Sequence, residues 1–489
     1  MLVLLTVIGK NDTIFIIYIT RIILKGSVDM KKKLTSVLLA AILTLGITAC
    51  SSSGGGSSQS GDSGSTAESS SAPVIMVKTV DEIKAEMKEE AEANDGKIEL
   101  ALWTSGDDIV FYNERIEEFK QLYSDPSYEL KIQTKENAPD TAGQLMLENY
   151  KKGGDVVTVR ADCLAELSDK GFITAADSSY YGDISEVFTE DAVQKVTVNG
   201  TQYAYPLCYN TLFLIYDKRV YTDPADLTSL DSLIAKAEEK NMSLGCAVDL
   251  DNLYYSTPFF LAAGMDIRYE NGVQTADFST KEGLDGFNSI KHYIEMAGKG
   301  FYPYSYTSEP SVAMNFASGN GAIAGFIGGG WNTTPIRNSE YFDNENLGIA
   351  KLPTVLIDGE QKQLEPLCTV NCFAVNSFTK YPKSAQAFAA FISKAENMKL
   401  YSEQQQSAVP LKEPDNEELA AIKEQAAFSH SFETTVSSDY WACGASDVIK
   451  SMLEQMRLEK KITMTNEELK EEIRTKVKVL PEQSSAQQT

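Results

Sequence analysis

Two short segments of the sequence carry carboxylates that could do chemistry. Residues 105–108 contain Asp107 and Asp108, and residues 160–162 end at Asp162. On sequence alone, Asp107 and Asp162 could form the acid pair of a glycoside hydrolase, provided that they face each other across the scissile bond. A solvated carboxylate or a helix cap is the alternative for each of the three Asp residues.

Other catalytic chemistry has few candidates. The chain contains only two histidines, His292 and His430, and no HExxH-type grouping. The sequence therefore argues against a histidine metal site or a Ser-His-Asp triad, and we expect no metal and no cofactor. Residues 328–330 are three glycines, but no Lys-Ser/Thr pair follows them, so they predict a turn with close backbone approach rather than a phosphate cradle.

Alternating strand and helix patterns position the two carboxylate segments. Apolar residues at 98, 100 and 102 have the period of a strand, and those between 111 and 123 have helical spacing. Further strands are predicted at 128–134 and 155–159, with a helix around 144–150 between them. This order predicts a doubly wound α/β fold. Ligands of such sheets meet the loops at the carboxyl ends of strands, where both carboxylate segments lie.

The start of the chain predicts export and lipid anchoring. Residues 30–33 are Met and three Lys, and a short apolar run follows at 37–47, which is typical of a secretory signal and too short to span a bilayer. Ile47-Thr48-Ala49-Cys50 forms a lipobox, so Cys50 is the predicted lipidation site. We predict a signal region at 1–49, with a true start at Met30, a Ser/Gly-rich tether at 50–76 and a leading helix at 77–95.

Charge and size narrow the function classes further. The formal net charge is −25; without residues 1–49 the chain has 38 basic and 67 acidic side chains, a net of about −29. Such a surface repels phosphate backbones, so nucleic acid is not an expected partner. About 400 ordered residues are too many for one hydrophobic core, and two domains are expected.

Seven cysteines leave their redox state open. Besides Cys50 they show no CxxC spacing, and both disulfides and scattered buried thiols fit this pattern. These six are Cys163, Cys208, Cys246, Cys368, Cys372 and Cys443.

From about residue 97 to 441, a set of short motifs occurs in a characteristic order and spacing. None of them is specific alone. They include Trp103 with Ser105-Gly106-Asp107, Asp155-Val156-Val157 before Asp162, Asn199-Gly200 before Ala204-Tyr205-Pro206, Tyr269-Glu270-Asn271-Gly272, Gly330-Trp331, Leu352-Pro353-Thr354 and Tyr440-Trp441. In these motifs the chain resembles the family 1 extracellular solute-binding proteins of ABC importers.

The resemblance implies a fold and its division. The implied fold class is α/β, a two-lobed, periplasmic-binding-protein-like (type II) fold with a hinge and a ligand cleft between the lobes. Lobe one would comprise residues 96–208 and 353–400, and lobe two residues 212–350 and 406–489. The crossings near residues 209–210, 352 and 405 are the hinge candidates.

The resemblance also implies a sugar site. Trp331 and Trp441 match residues that stack on sugar rings, and Tyr254 matches a third aromatic contact; a core Trp is the alternative reading. Asp107 and Asp162 match acceptors of sugar hydroxyls, which suits the flat C–H faces and hydroxyl rim of a sugar. This chain departs from the family where Asp108 replaces a lysine, Val159 replaces a stacking tryptophan, and Asn210 and Asn252 replace binding glutamates.

The implied function is binding without catalysis. The resemblance predicts a monomeric, membrane-anchored receptor that closes on an oligosaccharide, such as a maltodextrin-like α-glucan fragment, and delivers it to ABC transporter permease subunits. An extracellular glycoside hydrolase and a sugar sensor that signals to a histidine kinase are the alternatives.

Overall fold

A computed structural model describes residues 76–266, 268–270, 273–303, 309–319, 323–343, 345–413, 416–425, 430–431 and 444–477. Every described residue lies in one compact unit, Pro73–Thr489. Cys50, Met30, Cys443 and Trp441 lie outside the described residues.

The described residues form alternating strands and helices. The strands are β1 Lys97–Thr104, β2 Glu129–Glu136, β3 Val156–Arg160, β4 Ile173–Thr174, β5 Thr197–Val198, β6 Thr201–Gln202, β7 Ala204–Asp217, β8 Leu244–Val248, β9 Arg268–Glu270, β10 Val273–Thr275, β11 Gly300–Pro303, β12 Gly325–Gly329, β13 Leu347–Ala350, β14 Thr354–Ile357, β15 Glu360–Gln363, β16 Leu367–Asn376 and β17 His430–Ser431. The helices are α1 Val80–Glu92, α2 Ile109–Tyr123, α3 Pro139–Asn149, α4 Leu164–Asp169, α5 Ser178–Tyr181, α6 Glu190–Lys195, α7 Leu230–Glu239, α8 Leu253–Ala262, α9 Lys281–Glu295, α10 Glu309–Ala317, α11 Gly330–Arg337, α12 Pro382–Ile392, α13 Ala395–Gln405, α14 Glu417–Gln425, α15 Ala445–Glu459 and α16 Asn466–Lys476.

One long sheet runs through the body in the order β11-β8-β12-β7-β16-β3-β1-β2. β1 lies parallel to both β2 and β3, and β8 lies parallel to β11 and β12. The antiparallel pair β7 and β16 joins these two parallel groups. β7 pairs with β16 through residues 204–211 and with β12 through residues 212–216, so this single strand passes from one group to the other.

Hydrophobic cores lie on both sides of this crossing. The first core gathers buried side chains from residues 83–207 and 370–411. Two further cores pack around the other parallel group of strands. One uses residues 212–367 with 445–473, and the other uses residues 213–349 with 408–422. The crossing strands thus connect two separately packed bodies, which is the arrangement that allows a hinge.

Local sequence patterns account for the strands and the first helix of the body that contains β1 and β3. In β1 the buried residues Ile98, Leu100 and Leu102 alternate with more exposed ones. β3 is buried on both faces because it lies inside the sheet, between β1 and β16. Helix α1 begins at a capping box formed by Thr79 and Glu82. This leading helix packs on α12, where the Glu90 carboxylate accepts hydrogen bonds from the backbone N–H groups of α12.

Two properties of the described part bear on the expectations from the sequence. Its five cysteines are free thiols, at residues 163, 208, 246, 368 and 372. Within the same ranges, none of the helices combines the length and apolarity needed to cross a bilayer.

Candidate functional site

A cavity of about 100 Å³ lies where the two bodies meet. The first body contributes the turn after β1 and Tyr401 of α13, and the second contributes the start of α11. The crossing strand β7 lines it with residues 207–210. Four of the predicted site residues lie together on its wall: Asp107, Asp108, Asn210 and Trp331.

The turn between β1 and α2 presents the first two carboxylates. Gly106–Asp108 forms a single 3-10 turn, and a side chain at Gly106 would meet the Glu136 carboxylate at 2.9 Å. Asp107 is exposed, whereas Asp108 is buried. Asp108 makes no capping hydrogen bond to α2, so the helix-cap alternative is wrong for this residue.

Asp108 is held by a tyrosine from a distant part of the chain. The Tyr401 hydroxyl donates a hydrogen bond of 2.9 Å to Oδ1 of Asp108. Burial raises the pKa of Asp108 to about 6, in spite of this hydrogen bond. Asp108 is thus a buried carboxyl that gains or loses a proton close to neutral pH, whereas Asp107 is open to solvent and to a ligand.

Asp162 is held in an ion pair that lies within electrostatic range of Tyr254. It belongs to the 3-10 turn Ala161–Cys163 that follows β3. Arg160 donates through Nε to Oδ1 at 3.0 Å and through Nη2 to Oδ2 at 2.5 Å. The Asp162 side chain is only 3% exposed, and it is absent from the described residues that line the cavity. Asp162 and Asp107 therefore do not share the wall of this cavity, although the turns that carry them follow adjacent parallel strands.

Tyr254 joins the second body to the crossing strand. Asn252 accepts a hydrogen bond of 3.1 Å from the Tyr254 backbone N–H and so caps α8. The Tyr254 hydroxyl donates to Oδ1 of Asn210 at 3.1 Å, and Nδ2 of Asn210 donates to Oδ1 of Asn371 at 3.4 Å. One of the two asparagines that replace family glutamates therefore orients an aromatic ring, and the other caps a helix.

Trp331 stands at the start of α11 with its ring partly open. It is 41% exposed, and its ring centroid lies 6.1 Å from that of Tyr254 at an interplanar angle of 47°. The indole Nε1 donates to Glu309 at 3.4 Å, and Asn332 donates a second hydrogen bond to the same buried carboxylate. The alternative that Trp331 is a core residue is wrong, since core tryptophans are not exposed to this extent.

The three glycines before Trp331 do not form the turn that the sequence predicts. Gly328 and Gly329 end β12, and Gly330 begins α11. A side chain at Gly329 would lie 2.2 Å from the Trp331 ring, and one at Gly330 would lie 3.1 Å from Oε2 of Glu418. The backbone at these glycines therefore does approach neighbouring side chains closely, but at a junction between a strand and a helix rather than in a turn.

Glu418 is a functional candidate that sequence reasoning missed. It lines the cavity beneath α11 and is 1% exposed. Thr333 donates to Oε1, the Ala408 N–H donates to Oε2 at 3.2 Å, and Arg337 lies 3.7 Å away. Burial raises the pKa of Glu418 to about 7, although these neighbours oppose the shift. No local pattern marks this glutamate, because its partners are up to 85 residues away.

The raised pKa of Glu418 makes stability depend on pH. A carboxyl whose pKa is higher in the folded state stabilises the fold below its ordinary pKa of 4.5, and this contribution is lost as pH rises through about 7. Between about pH 5.5 and about pH 8, we expect Glu418 to lower the free energy of unfolding by about 2 kcal/mol. Urea unfolding of wild type and Glu418→Gln at both pH values measures this difference. Equal pH dependence in the two proteins would contradict it, and Glu424→Gln, at an exposed position of the same helix, is the control.

The remaining expectations concern residues outside this geometry. Trp441 and the lipidation site Cys50 are not among the described residues, so both stay predictions. Within the ranges described, there is no group of three His, Cys, Asp or Glu side chains able to hold a metal ion.

Comparisons with known proteins agree with this architecture. Residues 114–428 match the family model described as bacterial extracellular solute-binding protein. The chain is 25% identical over 256 residues to the maltodextrin-binding protein MdxE of Bacillus subtilis, a match that covers 50% of this chain and 57% of the relative. It is 21% identical over 281 residues to the maltotriose-binding protein of Pyrococcus abyssi, covering 56% of this chain and 57% of that protein.

A solved structure shows the same fold. The Thermus thermophilus maltotriose-binding protein, bound with maltotriose, superposes with a TM-score of 0.61 at 17% identity, covering 77% of this chain and 99% of the other. The predicted fold class, a two-lobed α/β binding protein of type II, is thereby confirmed. The sequence relatives are matched over little more than half of their length, as given above. Because the family model covers well over half of the chain, the resemblance inferred from the sequence is also confirmed, and the protein belongs to the bacterial extracellular solute-binding protein family.

Proposed function

We propose that this protein binds a neutral oligosaccharide, a maltodextrin-like α-glucan fragment, in the cavity between its lobes. The observation that carries the proposal is the partly open ring of Trp331, which lines the cavity together with the open carboxylate of Asp107 and has the ring of Tyr254 next to it. Aromatic rings suit the C–H faces of a sugar, and a carboxylate accepts hydrogen bonds from its hydroxyls. The relatives named for maltodextrin and maltotriose support this ligand class.

The proposal includes delivery to a membrane transporter. Lipid on Cys50 and the tether at 50–76 would hold the monomeric receptor on the extracellular face of the membrane, so that the permease subunits of an ABC transporter stay within reach. The proposed lobe one comprises residues 96–208 with 353–400, and lobe two comprises residues 212–350 with 406–489. Closure about the crossings near 209–210, 352 and 405 would present the loaded form to the permease.

We further propose that the protein is not an enzyme. A glycoside hydrolase needs two carboxyl groups on either side of the bond that it cleaves. Asp162, the candidate partner of Asp107, accepts hydrogen bonds from Arg160 on both oxygens. Incubation with malto-oligosaccharides should therefore release no new reducing ends.

A thermal-shift screen tests the proposed ligand class directly. A ligand that binds only the folded state should add about 2.7 kcal/mol to the free energy of unfolding at a hundredfold excess over its dissociation constant. We expect malto-oligosaccharides to raise the melting temperature and pentoses to leave it unchanged. The absence of a shift with every neutral glycan would contradict sugar binding.

A further inference from the structure

A second depression lies next to the cavity, between α10 and α11. It encloses about 750 Å³. Ala313 and Ile336 contribute to its floor, and Met314 and Tyr341 stand at its sides with 73% and 39% of their surfaces exposed. We call this depression the α10–α11 groove.

The groove is continuous with the cavity between the lobes. Trp331 and Pro335, one helical turn apart on α11, line both of them. Both residues are exposed, so they form a ridge with the cavity on one side and the groove on the other. A chain molecule that contacts the Trp331 ring in the cavity can therefore reach the groove by passing over this ridge.

The sizes of the two spaces differ in a way that matters for a polymer. In this conformation the cavity between the lobes is small, about 100 Å³. The groove of about 750 Å³ lies within the range of roughly 300–1,000 Å³ that is usual for small-molecule sites. In this conformation, the groove offers the larger space for a ligand of several sugar units.

The lining of the groove fits the chemistry of a sugar chain. The floor is apolar, and the hydrogen-bonding side chains among the lining residues are Glu309, Ser318, Asn332, Ser339, Glu340 and Tyr341, with Trp331 as the aromatic platform. Of these, Ser318, Ser339, Glu340 and Tyr341 are at least partly exposed and can accept hydrogen bonds from sugar hydroxyls around the apolar floor. Glu309 and Asn332 are buried and already bonded to each other. The two glutamates disfavour an anionic ligand, so a neutral glycan fits better than a charged one.

We propose that the α10–α11 groove binds the sugar units of a longer neutral oligosaccharide that extend past Trp331. The inference rests on the proposed function and deepens it, because it makes affinity depend on chain length. Short ligands contact only the cavity, and longer ligands gain the contacts with Met314 and its neighbours on α10.

Titration calorimetry with maltose, maltotriose, maltopentaose and maltoheptaose tests this proposal. In the wild type, affinity should rise by about tenfold from the shortest ligand that binds to the longest, a gain typical of one buried apolar side chain. In Ala317→Trp, which places a bulky ring in the groove, this gain should disappear, and in Met314→Ala it should shrink. Leu458→Ala is the control, because this apolar side chain of the same lobe is comparably exposed, at 63%, but lies far along the sequence from the groove. It should keep the full gain of affinity with ligand length.

Three outcomes separate the possibilities. Unchanged affinity of the variants for the shortest ligand, together with loss of the length dependence, supports the groove as a sugar site. A wild type without length dependence, or a gain that survives Ala317→Trp, overturns the groove proposal and leaves the proposed function standing. If no malto-oligosaccharide of any length binds the wild type, the proposed function fails, and the groove proposal fails with it.

Discussion

Replacing Trp331 with alanine is expected to weaken sugar binding by about 100-fold, which corresponds to about 3 kcal/mol. The ring is 41% exposed and tilted toward Tyr254, so it can cover a sugar face without first leaving a packed core. Removal of the indole takes away this platform and opens the ridge between the cavity and the groove. Titration calorimetry with maltotriose measures the loss.

The stability of the free protein separates a binding role from a structural one. Trp331 makes one hydrogen bond of 3.4 Å, to Glu309, which also accepts from Asn332. Because more than half of the Trp331 surface is buried, we expect Trp331→Ala to lose about 2 kcal/mol of unfolding free energy, less than the roughly 3–5 kcal/mol typical of a core tryptophan. Phe378→Ala is the matched control, because this ring is 50% exposed but stacks near Tyr150 in the other body. Wild-type affinity in Trp331→Ala would contradict the site.

The fold could be predicted from the sequence where the signal is local. The alternation of Ile98, Leu100 and Leu102 placed β1, and the apolar run before Arg160 placed β3. Because both strands are parallel and adjacent in the sheet, the turns that follow them could also be assigned to one edge. The aromatic platform at Trp331 came from its motif and its glycines, and the ring is partly exposed as such a role requires.

The details of the site could not be predicted, because they depend on contacts between distant residues. Tyr401 donates a hydrogen bond to Asp108, 293 positions away in the sequence, and no local pattern near either residue predicts this contact. The burial of Glu418 could not be predicted either, since an acidic residue at the start of a helix is usually solvated. The role of Trp441 as a second stacking residue stays a prediction.

The ion pair of Asp162 leads to a second large effect. Removing one partner of a buried ion pair leaves the other charge without compensation, at a cost of roughly 3–5 kcal/mol. Because the side chains of Arg160 and Asp162 are only 21% and 3% exposed, Asp162→Ala should lower the free energy of unfolding by about 3 kcal/mol. Urea denaturation without ligand measures this change.

Asp107 is the control, because the two carboxylates were predicted to share one role. Asp107→Ala removes an exposed side chain and should change the unfolding free energy by less than about 0.5 kcal/mol while weakening sugar binding. Replacing Arg160 and Asp162 together with Met and Leu should restore most of the stability that Asp162→Ala loses, since a buried pair can often be exchanged for apolar side chains. Equal stability of Asp107→Ala and Asp162→Ala would show that the ion pair contributes little. If the double variant regains stability but binds sugar more weakly than the wild type, then the ion pair also contributes to binding, separately from its effect on stability.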